Sequence, residues 1–162
     1  MHSIRKLAVV AVVTAATFTV GSSAQAASAE EIIAQHMVGE ALLAAHLVAL
    51  AERAGMSPDE INAILKDVAD KSAIDEFWIT DPSGHAYLTN TGIDFAFKAD
   101  PAKEPQASAF WPLIKGEKDI LIQEARNREI DDQVFMYVGV AGIDKSRIVQ
   151  VGVSGEHLPD RE

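Results

Sequence analysis

The 162-residue chain contains no cysteine. That excludes disulfides, thiolate metal sites and haem attachment through a Cys-x-x-Cys-His motif. Basic residues are few, 14 Lys plus Arg against 24 Asp plus Glu. A surface so acidic repels nucleic acid and anionic lipid, because binding either depends on neutralising phosphates with Lys and Arg. The chain also lacks a Gly-rich phosphate loop, and Ser83-Gly84-His85 has no nucleophile-elbow context. With no nucleophile, base and orienting group assembled in one pattern, the protein is not expected to be an enzyme, nor to carry a metal or other cofactor.

Long apolar runs are equally scarce, and the one present stands at the N-terminus. Arg5 and Lys6 are followed by an apolar stretch over residues 7–20, broken only by Thr14, Thr17 and Thr19. Ala24-Gln25-Ala26 then supplies the small residues of a signal-peptidase site. The run is shorter than the roughly 20 apolar residues of a spanning helix, so cleavage after Ala26 and a periplasmic or secreted location are expected. Residues 27–162 keep 12 basic against 24 acidic side chains. That length suits one domain, which at this size needs no disulfide staple. No later stretch reads as a membrane span, so the processed protein is expected to be soluble.

The processed chain opens with helical periodicity over residues 29–54. Ile32, Ile33, Met37, Leu43, Leu47 and Leu50 recur among alanines, with Ser28 and Glu31 spaced as a capping box and Gly55 as the stop. Ser57-Pro58-Asp59-Glu60 restarts a helix whose stripe is Ile61, Ile64, Leu65 and Val68. The period then changes to that of strands. Residues 74–80 and 85–90 flank the turn Asp81-Pro82-Ser83-Gly84. Residues 91–106 are irregular, and Phe110-Trp111-Pro112-Leu113 places an aromatic pair beside a proline read as a helix breaker. Residues 120–128, 133–141 and 147–153 complete a three-stranded meander. Two helices segregated from an antiparallel sheet make an α+β domain.

This order, with Phe77-Trp78-Ile79-Thr80-Asp81-Pro82-Ser83-Gly84-His85-Ala86-Tyr87, the aromatic segment 110–113 and the paired stretches 135–141 and 147–152, resembles the Cache superfamily of extracellular PAS-like sensors. The resemblance spans roughly residues 30–155. It implies a long N-terminal helix and a second helix packed on a PAS-like five-stranded antiparallel sheet. It further implies a small-molecule ligand, a carboxylate by preference, held between the sheet and the long connection. Most members of the family lie between membrane segments and feed a signalling region; neither feature is read here, so a free-standing module that captures a ligand or docks on a separate membrane partner is expected.

Carried onto this chain, the resemblance implies Tyr87, Trp111, Arg126 and Tyr137 as ligand-binding residues. Arginine can take a carboxylate through two parallel hydrogen bonds, and Tyr or Trp adds a flat wall with a polar tip. Arg128 is the alternative to Arg126 if the strand slips in register. His36 and Glu40 lie one helical turn apart, yet nothing completes a metal pattern around them, and His36 and His46 read as partly buried polar tips. Asp70, Asp75, Glu76 and Asp81 read as a solvated acidic surface. A second reading has no ligand: Ala41, Ala44, Ala45 and Ala49 form a small-residue stripe on which the long helix dimerises or docks.

Overall fold

Two capping boxes start the helical layer. In the computed structural model, which describes residues 27–159, Ser28 Oγ accepts from the Glu31 N–H at 3.1 Å while Glu31 accepts from the Ser28 N–H at 2.7 Å. Ser57 and Glu60 repeat the exchange. Each pair satisfies donors that a helix start leaves without an internal partner. The helices they open are α1 (Ala29–Arg53) and α2 (Pro58–Ala69). The signal segment read in residues 1–26 lies outside the described residues.

The strands are β1 (Glu76–Thr80), β2 (Ala86–Thr89), β3 (Ile120–Asn127), β4 (Val134–Ala141) and β5 (Ile148–Ser154). They form one sheet in the order β2-β1-β5-β4-β3, antiparallel throughout. The chain is thus α+β, with the long helix and its successor on one face of a five-stranded antiparallel sheet. Residues 91–106 cross the other face and end in a 3₁₀ turn, Ala107–Phe110, followed by the short helix α3 (Trp111–Ile114). Pro112 does not break this helix as its sequence context suggested. It occupies the first turn, where its missing N–H costs nothing.

Strand alternation divides the core into two layers. Toward the helices point Phe77 and Ile79, Met136, Val138 and Val140, and Val149, Val151 and Val153, packed on Ala34, Met37, Ala41, Ala44, Ala45 and Val48 of α1. The alanine stripe is therefore the surface by which α1 approaches its own sheet, and it is unavailable to a partner. By length and composition α1 is also apolar enough to cross a membrane, contrary to the sequence reading; here it lies against the sheet. On the opposite face Trp78, Phe135, Tyr137 and Ile148 meet Phe97, Ala107, Phe110 and Leu113. Close approach there requires Gly139: a Cβ at that position would stand 2.7 Å from the Phe110 ring.

Candidate functional site

The face under the crossing segment carries polar groups that a plain core would not. Glu76 and Trp78 alternate on β1, Phe135 and Tyr137 on β4, and Gln150 on β5, all pointing the same way. Glu76 pairs with Gly152, and Gly152 with Tyr137, so the three form a row across β1, β5 and β4. Because the middle position has no side chain, the Tyr137 hydroxyl leans over it and donates to Glu76 Oε2 at 2.9 Å. A Cβ on Gly152 would sit 2.5 Å from the Tyr137 ring and close that saddle. Trp78 Nε1 donates to the same oxygen at 2.9 Å.

The remaining partner of Glu76 is Arg128. A bulge in β3 between Gln123 and Arg126 inserts one extra residue against β4. Ala125 then packs toward α1, and the strand delivers Arg128 to its end beneath the crossing segment. Arg128 Nη1 donates to Glu76 Oε1, while Nε and Nη2 grip Asp131 side-on at 2.6 and 2.5 Å. Its guanidinium also lies 4.1 Å from the centroid of the Phe135 ring, a cation–π contact, and Phe135 stacks on Tyr137. Glu76 is 6% exposed and Arg128 7%, so this is a buried ion pair whose charges depend on each other. The Asp131 hydrogen bonds contribute most to holding the guanidinium protonated, against the opposing effect of burial. Burial and the Glu76 charge push the Tyr137 phenol well above its ordinary value. Both groups keep their protons throughout the physiological range.

Between this network and the crossing segment is a cavity of about 30 Å³, walled by Trp78, Phe95, Phe97, Phe110 and Tyr137 and edged by Gln106, Arg128, Glu129 and Gln150. Its size accommodates about two water molecules or a few ligand atoms. Gln106 has its backbone N–H on Glu129 at 2.7 Å, its Oε1 accepting from the Glu129 N–H, and its carbonyl accepting from Gln123 Nε2 at 2.9 Å. Its side-chain Nε2 is buried without any protein partner. A buried amide nitrogen left in that state costs about 1–3 kcal/mol.

Of the four residues implied by resemblance, only Tyr137 lines this cavity. Arg126 is exposed and forms no salt bridge among the described residues; Arg128, two residues on, takes the buried position. Trp111 lies beside Gly84 and is not among the residues lining the cavity, its indole N–H buried and unpartnered. Glu76 is no part of a solvated surface, contrary to the sequence reading, and Asp75 likewise is engaged, accepting from the Ser154 N–H at 2.7 Å. The alternation of Glu76 with Trp78 was the available signal, since a strand that buries one buries the other on the same side. His36 and His46 are exposed, not partly buried.

Tyr87 belongs to a second polar cluster on the opposite side of the sheet. Its hydroxyl donates to Glu52 near the end of α1 and accepts from Arg147 Nη1 at 2.6 Å. Arg147 Nη2 reaches Glu52 at 2.9 Å and Asp144 at 2.7 Å, and Lys145 completes the group at 2.8 Å from Glu52. These contacts clamp the C-terminal end of α1 to β2 and to the turn between β4 and β5. Burial pushes the Glu52 carboxyl up, but hydrogen bonds from Arg147, Lys145 and Tyr87 and the Arg147 charge together outweigh it and hold it at about 2, from an ordinary 4.5. A depressed folded-state value gives stability that is present above about pH 4.5 and is lost as pH falls toward about 2. Denaturation midpoints measured across that window should fall less steeply for Glu52→Gln than for the parent. Equal slopes would show that this carboxylate is not held down.

No model of a known protein family matches the chain, and no curated protein matches it in sequence. Among the described residues, no group of three or more His, Asp or Glu is placed to hold a metal ion.

Proposed function

We propose that this is an exported, Cache-like sensor module that binds a small carboxylate-bearing metabolite beneath the crossing segment. The observation carrying the reading is the buried, unpartnered amide nitrogen of Gln106, a residue that lines an aromatic cavity together with Arg128. Polar groups placed so few and so specifically in an apolar enclosure are the usual composition of a ligand site. Asp131, from the turn between β3 and β4, holds the two-donor edge of Arg128 in the way a ligand carboxylate would. Ligand entry exchanges one carboxylate for the other and leaves Glu76 paired. Because the cavity is small, the ligand either has few atoms or lifts the crossing segment as it enters. The sheet order 2-1-5-4-3, with helices on one face and a long connection on the other, supports the Cache-like assignment. The apolar N-terminal segment supports export. The bound form then acts by capture or by presentation to a separate membrane partner.

A thermal-shift screen with formate, acetate, propionate, pyruvate, succinate and amino acids, set against amines and purines, tests this. A ligand at ~100 times its dissociation constant adds ~2.7 kcal/mol to the folded state, a shift of several degrees for a domain of this size. The shift should appear with carboxylates and disappear in Gln106→Leu. A shift confined to compounds without a carboxylate would contradict the ligand class, and one undiminished in Gln106→Leu would place binding elsewhere.

A further inference from the structure

The outer face of α1 carries an apolar seam that the fold leaves uncovered. Ile32, Leu43 and Leu50 are 49%, 71% and 57% exposed. With His36, Gly39 and His46, also exposed, they recur at alternating steps of four and three residues, the spacing of a coiled-coil seam. At 3.6 residues per turn all six point within about 40° of the direction opposite Ala41, which is itself fully buried against the sheet. The seam therefore looks straight out from the domain, along a helix about 37 Å long. It continues sideways into a groove where Leu43 and Leu47 meet Leu65 and Val68 of α2.

The order of residues identifies the occupant. Ile32 and Leu50, His36 and His46, and Gly39 and Leu43 are each placed symmetrically about Ala41. Two copies of α1 laid antiparallel across a two-fold axis at that residue bring every member of the seam opposite its counterpart. Such an interface is self-complementary, as a symmetric dimer requires. In the central layer Leu43, the most exposed of the large apolar side chains among the described residues, meets Gly39, where the surface carries no side chain and open space lies beside the backbone. Charge agrees with the same direction. Glu31 and Arg53, near opposite ends of α1, lie on one flank of the seam and are both exposed. Antiparallel pairing keeps both on the same flank and brings each to the other copy's opposite charge within about 3 Å of axial register, whereas a parallel two-fold carries them to opposite flanks and pairs neither. We infer that the protein forms an antiparallel, two-fold dimer through the outer face of α1, with Ile32, Leu43 and Leu50 as its apolar contacts. This is a different surface from the alanine stripe, and it leaves the cavity on the far side of the sheet free.

Sedimentation equilibrium of the protein over a wide concentration range should show a monomer–dimer equilibrium. Leu43→Glu should weaken association about thirty-fold or more with the melting temperature of the monomer unchanged, since the side chain stands in solvent there. The absence of native cysteine makes the direction readable. Mixed Ile32→Cys and Leu50→Cys proteins should cross-link to each other on oxidation, because antiparallel pairing brings those positions within the reach of about 7 Å that a disulfide needs. Leu50→Cys alone should not cross-link, its two copies being about 27 Å apart along the axis. A monomer at every concentration, a dimer indifferent to Leu43→Glu, or self-linking of Leu50→Cys would overturn the inference.

Discussion

Arg128→Met should lower the free energy of unfolding by about 3–5 kcal/mol, the cost of leaving a buried charge without its partner. Glu76 would remain beneath the crossing segment with only the Trp78 and Tyr137 donors to meet it. Two neutral donors do not replace a guanidinium in an enclosed site, where effective dielectric is low. For a domain of this size the loss corresponds to roughly 10–20 °C in melting temperature. The prediction has an internal control. Glu76→Gln removes the orphaned charge, so Arg128→Met combined with Glu76→Gln should be more stable than Arg128→Met alone. Additive single and double variants would mean that the two side chains are not coupled, and the site would lose its electrostatic centre.

Phe110→Ala should cost a similar amount, about 3–5 kcal/mol, for a different reason. Its ring is fully buried, seated over the bare backbone of Gly139 and set edge-on to Phe97. It is the main anchor of the crossing segment on the sheet. Removing it enlarges the cavity next to Gln106 without touching the ion pair. The damage should therefore be local as well as global. Amide exchange should accelerate first at Ala86 and Phe97, whose N–H groups are held by Phe95 and Gly84 carbonyls across the same segment. Amides of the central strands β4 and β5 should follow only global unfolding. Uniform acceleration throughout would show that the crossing segment does not open as a separate unit.

The parts of the fold legible in the sequence are those decided locally. Ser28 with Glu31 and Ser57 with Glu60 announce two helix starts because a capping box is completed within four residues. The hairpin turn at 81–84 and the runs rich in β-branched and aromatic residues at 133–141 and 147–153 likewise need no distant partner. The site was legible only in outline. Tyr137 could be placed on a buried strand, but the partner of Glu76 lies 52 residues away, and which arginine reaches it depends on a bulge in β3 that leaves no composition signal. Glu76 beside Asp75 reads as acidic surface until the strand is known to be buried on both faces. The alanines of α1 mislead for a related reason. Small residues permit close approach of any neighbour, and periodicity alone does not distinguish a sheet of the same chain from a second helix.

Calorimetric titration of the strongest carboxylate from the screen asks whether a ligand binds under the crossing segment. The parent protein, Gln106→Leu and Arg126→Ala should be compared at equal folded concentration. Gln106→Leu should weaken binding by about tenfold or more, through loss of the unpartnered amide of this lining residue. Arg126→Ala should bind like the parent, since that side chain is exposed and outside the site. Equal binding by all three proteins, or a loss confined to Arg126→Ala, would contradict binding at that site.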